Sequence, residues 1–218
     1  MVLDDVWSLF ESRVFSVPST QDGPASLFNQ YHDRDLRVDR PDAGAIRRSN
    51  LFGYLSSFAE RPSMLVVGEA PGWRGCRFSG VPFTSEAQLC DGALPFTGHQ
   101  SSAASSPYAE NTATIFWRSA RPYGSSFLVW NCVPFHLHRP DDPLTNRAPT
   151  RREILAHLES LTALLALLEP RLVVAVGRSA GWTLRQMDVP CTYVRHPSHG
   201  GAEEFRRGLE NVLRRGER

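Results

Sequence analysis

Four groups of residues carry the chemistry that is legible in this chain. Gly68-Glu69-Ala70-Pro71-Gly72 sets a carboxylate in a tight turn, and Gly80-Val81-Pro82-Phe83 follows it with an aromatic ring. Asn131 offers a carbonyl acceptor and an amide donor side by side. Gly177-Arg178-Ser179-Ala180 opens a helix whose unpaired N–H groups, together with the Ser179 hydroxyl and the Arg178 guanidinium, suit a phosphate. His196-Pro197-Ser198-His199 supplies an imidazole that can donate a hydrogen bond, with a hydroxyl beside it. Each residue has a plainer role on its own. Phe83 reads as a core aromatic, Asn131 as the end of a strand, His196 as a surface histidine before a turn, and Ser179 as a helix cap. These groups act together only if the fold gathers them.

The elements between them do that. Met64-Leu65-Val66-Val67, Phe127-Leu128-Val129-Trp130, Leu172-Val173-Val174-Ala175-Val176 and Cys191-Thr192-Tyr193-Val194 are short apolar runs, each bounded by polar or turn-forming residues, and predict four buried strands. Helices are expected over Leu3 to Val14, Ala45 to Glu60, Thr112 to Ser119, Thr150 to Glu169, from Ser179, and from Ala202 to about Arg214. Thr150-x-x-Glu153 is a capping box, and Pro170 a stop. Strands alternating with helices predict a single domain over residues 1–218: a three-layer α/β/α sandwich around a four-stranded parallel sheet. Such sheets bind ligands beyond the carboxyl ends of their strands, which is where all four groups fall. Between Gly68 and Asn111 lies a long segment rich in Gly, Ser and Pro, without periodicity; a loop of this length in a compact domain is usually functional.

Composition narrows the classes. The chain has 218 residues, 41% of them hydrophobic, which suits one globular α/β domain. No apolar stretch is long enough to cross a membrane, and the acidic start Met1-Val2-Leu3-Asp4-Asp5 does not read as a targeting peptide, so a cytoplasmic location is expected. The net charge of +1 leaves room for a local basic groove. All the basic side chains other than histidine are Arg, with no Lys, a bias that codon usage explains more simply than phosphate binding does. Cys76, Cys90, Cys132 and Cys191 form no C-x-x-C pair, so buried free thiols are expected, with no metal and no cofactor. His136 and His138 are placed to meet a phosphate, or to pair on a metal for which no third ligand is evident.

The order and placement of these motifs resemble the uracil-DNA glycosylase superfamily, over about Leu65 to Gly201. The resemblance implies a monofunctional, monomeric enzyme that flips a base out of single- or double-stranded DNA and hydrolyses its glycosidic bond. It implies that Gly68, Ala70, Gly72 and Phe83 hold the base, Phe83 by stacking. Asn131 reads the N3–H and O4 edge of uracil, and His196 stabilises the anion that leaves. It assigns phosphate contacts to Ser198, Ser179, Arg178 and His199.

The chain departs from the family in four ways. Ala70 stands where many members place a water-positioning Asp or Asn, which leaves Glu69 as the nearest candidate for that task. Gly72 replaces a pocket-narrowing Tyr. The cysteines do not match the iron–sulfur pattern of the G-E-A-P-G branch. Gly200 and Gly201 stand where a wedging side chain is common, so His199, an Arg or a preference for single strands must compensate. Two other readings remain: the same chemistry on hypoxanthine, xanthine or a mismatched pyrimidine, and a noncatalytic module that binds single-stranded or damaged DNA. A nucleotide-binding enzyme has less support, because neither phosphate-loop pattern is present.

Overall fold

The chain opens with α1 (Val2–Phe10), which runs into a π-helical turn at Glu11–Phe15, in a computed structural model that describes residues 2–20, 26–198 and 200–216. There follow β1 (Leu27–Phe28), α2 (Ala43–Ser56), β2 (Met64–Gly68), α3 (Cys76–Ser79), α4 (Glu86–Cys90), α5 (Asn111–Ala120) and β3 (Phe127–Asn131). The second half comprises β4 (His136–Leu137), α6 (Arg151–Ala156), α7 (Leu158–Leu168), β5 (Leu172–Val176), α8 (Gly177–Gln186), β6 (Thr192–Val194) and α9 (Ala202–Gly216).

The four apolar runs form one parallel sheet in the order β3-β2-β5-β6. Their continuous hydrophobicity has a physical cause: β2 and β3 are buried along their whole length, as strands covered on both faces must be. Side chains alternate between faces along a strand. On one face of β3, Phe127 meets Phe116 of α5 edge-on at 5.7 Å, and Phe116 lies 6.3 Å from Phe205 of α9. On the other face, Trp130 stacks on Phe10 of α1 at 4.1 Å. Helices therefore flank the sheet on both sides, in three layers. Each aromatic pair adds about 0.5–1.5 kcal/mol beyond its buried area. One side chain bridges the outer edge of β3: the Tyr54 hydroxyl accepts from the Val129 N–H at 3.0 Å and donates to the Phe127 carbonyl at 3.4 Å.

The structure differs from the sequence expectations in three places. The expected helix over Thr150 to Glu169 is two helices, α6 and α7, that meet at His157, whose ring packs edge-on against Phe135 at 5.1 Å. Its Thr150–Glu153 capping box is present, and a left-handed Glu169 (φ 40°) ends α7 before Pro170. Second, the unperiodic segment contains α3 and α4 and is ordered from within. Glu86 accepts hydrogen bonds from the Ser101 and Ser102 N–H groups (2.7 and 2.8 Å), the Ser102 hydroxyl (2.7 Å) and the Tyr108 N–H (3.2 Å). Beside it, buried Asp39 pairs with Arg47 and Arg77, and the Arg77 guanidinium lies 4.1 Å from the ring centre of Phe28 and 4.3 Å from that of Phe78. Third, Cys76 and Cys132 are buried free thiols, but Cys90 is exposed and Cys191 half-buried. Among the described residues, no helix is long and apolar enough to cross a membrane.

Candidate active site

The carboxyl ends of β2 and β3 lie side by side, because the parallel register pairs Gly68 with Asn131. Asn131 shares its strand face with Phe127 and Val129, the face covered by α5. Phe83 reaches the same place from its own loop: its ring stacks on Phe116 of α5, 4.7 Å between centroids and 19° between planes. The reason for a glycine at 68 is then plain. A Cβ there would lie 2.6 Å from Asn131 Oδ1 and 2.7 Å from Phe83 Cζ, so only a bare backbone lets the amide and the ring meet.

Phe83 is held under strain. Its φ of 53° lies in the left-handed region, which costs a bulky residue about 1–3 kcal/mol. Stacking on Phe116 offsets part of that cost, and hydrogen bonds hold the rest of the loop. The Ser79 hydroxyl contacts the carbonyls of Val81 and Thr84 (3.0 and 2.7 Å), the Tyr31 hydroxyl donates to the Gly80 carbonyl (2.7 Å), and the Trp117 indole donates to the Thr84 hydroxyl (3.0 Å).

His196 follows β6 and is half-buried. Its Nδ1 receives the Ser198 N–H at 3.2 Å and lies 2.8 Å from the Ser198 hydroxyl. A nitrogen that accepts from a backbone N–H carries no proton, so the neutral ring bears its proton on Nε2. Glu69 is oriented from α8: the Ser179 hydroxyl donates to Glu69 Oε2. Next to it, Pro71 is fastened by His136, whose Nδ1 lies 2.9 Å from the Pro71 carbonyl and whose Nε2 lies 3.0 Å from that of Pro143. Burial lowers the His136 pKa to about 3, so the ring is neutral and donates to one of the two carbonyls.

These groups surround a cavity of about 350 Å³. Its wall brings together Glu69, Ala70, Gly72, Phe83, Asn131, His196 and Ser198 from the sequence expectations, with Gly68 beneath the contact of Asn131 and Phe83. Among the described residues, no side chain or backbone group hydrogen-bonds the Asn131 amide, which is 6% exposed and lines this space.

Other expectations are placed differently. Arg178 and Ser179 do not line the cavity; Arg178 is exposed, and the Ser179 hydroxyl is committed to Glu69 rather than turned outward to a phosphate. His136 is fully buried with both ring nitrogens at carbonyls, so it faces no phosphate, and His138 lines a separate hollow rather than this cavity. Among the described residues, no group of three His, Cys, Asp or Glu side chains is arranged to hold a metal ion. His199 lies outside the described residues.

The sequence did not signal four further polar wall residues: Glu110, Thr112, Asn146 and Arg147. Arg147 is held by Glu153, and its Nε donates to the His138 carbonyl at 3.1 Å. The capping box drew attention to Glu153, but nothing in the spacing linked it to Arg147. Asn146 accepts from the Trp73 N–H at 2.8 Å. Glu110 stands at the N-terminus of α5 without capping it, and burial pushes its carboxyl up to about 7.

Comparison with known proteins gives one family and a similar solved structure. The family model described as the uracil DNA glycosylase superfamily matches residues 55–212. The crystal structure of wild-type SMUG2 from Pedobacter heparinus superposes with a TM-score of 0.67 at 13% identity, covering 99% of this chain and 97% of that one. The curated proteins give no match. The matched segment contains all four strands of the sheet and every sequence-predicted wall residue of the cavity. The chain therefore belongs to the uracil DNA glycosylase superfamily, and its general activity is that of a DNA glycosylase.

Proposed function

We propose that this protein is a monofunctional glycosylase that removes uracil, or another deaminated base, from DNA by flipping it into the cavity and hydrolysing its N-glycosidic bond. The observation that carries the reading is the convergence of Phe83, Asn131 and His196, from three distant segments, on one wall-lined hollow beyond the strand ends. A base within a duplex is out of reach, so it must leave the stack. Phe83 then stacks on its face, worth about 1–3 kcal/mol. The unpartnered Asn131 amide donates to O4 and accepts from N3–H of uracil; cytosine presents an amine and a bare ring nitrogen there, and matches the same amide poorly.

As the glycosidic bond breaks, electron density moves onto the base and the sugar becomes cation-like. His196, with its proton on Nε2, donates to the base oxygen on which charge collects. A donor fixed in advance lowers the barrier because it need not reorganise. Ser198 sets the tautomer through its N–H, and its exposed position also suits a phosphate contact. Ala70 has no polar side-chain atom, so the attacking water falls to Glu69, which Ser179 orients. Arg178 and His199 serve the flanking phosphates. The chain has no lysine to form a Schiff base, which supports hydrolysis without strand cleavage. The protein acts as a monomeric single domain in the cytoplasm, without metal or cofactor.

The test is a panel of single- and double-stranded oligonucleotides, each bearing one uracil, hypoxanthine or xanthine, scored for free base and alkali-labile sites. Asn131→Ala and His196→Ala are expected each to lower the single-turnover rate on uracil by about 10²–10³-fold while staying folded. Unchanged rates in both variants defeat the assignment. Salt-sensitive binding to DNA with no base released points instead to a noncatalytic module.

A further inference from the structure

Glu110 is the one acidic wall residue of the cavity that the proposed mechanism leaves idle. It sits where α5 begins, a position from which a side chain ordinarily accepts hydrogen bonds from the helix, yet it makes no such bond. Instead the carboxyl group turns back against the loop that holds Glu69 and Ala70. A Cβ on Gly72 would lie 2.3 Å from Glu110 Oε1, and a Cβ on Gly75 would lie 2.2 Å from Oε2. Two glycines thus make the cradle that admits the group. Among the described residues it has no hydrogen-bond or ion-pair partner, and burial alone holds its pKa near 7.

The other titratable or charged groups on the cavity wall are Cys76, Glu69, Arg147 and His196, and Arg74 lines the adjoining hollow. Burial raises the Cys76 thiol, which therefore stays neutral, and Arg147 is committed to Glu153. The Arg74 guanidinium lies over the Trp73 ring at 4.7 Å. None of them neutralises Glu110.

Glu110 is half-buried and its carboxyl group opens onto the cavity with no partner from the protein, so a ligand there can supply one. The protonation state decides which ligand atoms suit it. An ionised carboxylate beside a departing anion would oppose the reaction. A neutral carboxyl group instead offers an O–H to the same anion.

We propose that Glu110 is a further catalytic group of this site: in its neutral form it donates a hydrogen bond to an oxygen or ring nitrogen of the flipped base and stabilises that base as it leaves. The substrate class follows: bases that present an acceptor toward Gly72 and Gly75, as the carbonyl-bearing deaminated bases do. The inference rests on the glycosylase reading above. No proton need be transferred, because the hydrogen bond alone strengthens as charge builds on the base.

The experiment measures single-turnover base release by the full chain, using the uracil, hypoxanthine and xanthine oligonucleotides, from about pH 5.5 to 9. Wild type is compared with Glu110→Gln, which keeps a donor that does not titrate, and with Glu110→Ala, which keeps none. Circular dichroism and thermal melts establish that each is folded. Wild type is expected to lose about tenfold in rate per pH unit above roughly pH 7 as Glu110 ionises. Glu110→Gln should lack that limb. Glu110→Ala should be slower than wild type by about 10- to 100-fold near pH 6 and converge on it at high pH. Superimposed profiles for an active wild type and Glu110→Gln overturn this proposal and leave the glycosylase reading standing. Should Glu110→Gln not fold, the comparison of wild type with Glu110→Ala decides: a rate ratio that does not narrow as pH rises overturns it. A wild type that releases no base at any pH overturns both.

Discussion

Two glutamates bracket the same loop and live in opposite circumstances. Glu86, at the start of α4, is fully buried and gathers four donors from residues 101 to 108. Glu110, just beyond that stretch, faces the cavity and gathers none. The first carboxylate is spent on structure: it orders a segment too short in helix and too poor in apolar residues to order itself. The second is withheld from structure, and so remains available to chemistry. The contrast extends to the amides. Asn50 is satisfied on both atoms, with its Nδ2 donating to the carbonyls of Ser79 and His99 and its Oδ1 receiving the His99 N–H, whereas Asn131 lines the cavity unmet. In each of these two pairs the saturated group holds the scaffold and the unsaturated one faces the cavity.

Substitutions should break this contrast in a definite order. Glu86→Ala strips buried acceptors from four donors and is expected to cost on the order of 3–5 kcal/mol, a large fraction of a domain's stability, read by urea denaturation. A loss below about 1 kcal/mol would mean that the loop is held by something other than this carboxylate. Gly68→Ala forces a methyl group onto the Asn131 amide and the Phe83 ring. It should cost about 1–3 kcal/mol and reduce base release more than it reduces the melting temperature.

Glu110→Gln should move stability the other way. In the unfolded chain this carboxyl loses its proton near its ordinary value of 4.5, and in the folded protein only near 7. Between those values the folded state holds more protons, so stability falls as pH rises and the cost is complete above about 7. The Gln variant should therefore be more stable than wild type by roughly 1–2 kcal/mol near pH 8.5, with no such pH-dependent gain near pH 4. Equal gains at the two pH values would remove ionisation as the cause. Ser179→Ala has the smallest expected effect on stability, under about 1 kcal/mol, with a several-fold slower rate if the Glu69 carboxylate must be aimed at water.

The sequence disclosed the scaffold better than the site. The strands were legible because burial on both faces leaves an unbroken apolar run, and their ends were legible because Gly68 and Asn131 interrupt it. The residues that ride on those ends followed at once. The break at His157 was not legible, since leucines keep a helical period on both sides of it. Nor were α3 and α4: helices of four and five residues cannot show a period, and distant donors and acceptors hold them. Ser179 was read as a phosphate ligand because spacing does not reveal a partner 110 positions away. Glu110 had no signal at all, since what distinguishes it is a carboxyl group packed against Gly72 and Gly75 without a hydrogen-bond partner, and only coordinates expose that.

One detail of the sheet bears on how the molecule behaves in company. With the Tyr54 phenol bridging the Val129 N–H and the Phe127 carbonyl, two outward groups of β3 are already occupied, and a second copy arriving edge-on finds fewer to zip against. If crowded or heated molecules join strand to strand, growth should therefore start from the opposite margin, at β6, where Tyr193 stands in solvent.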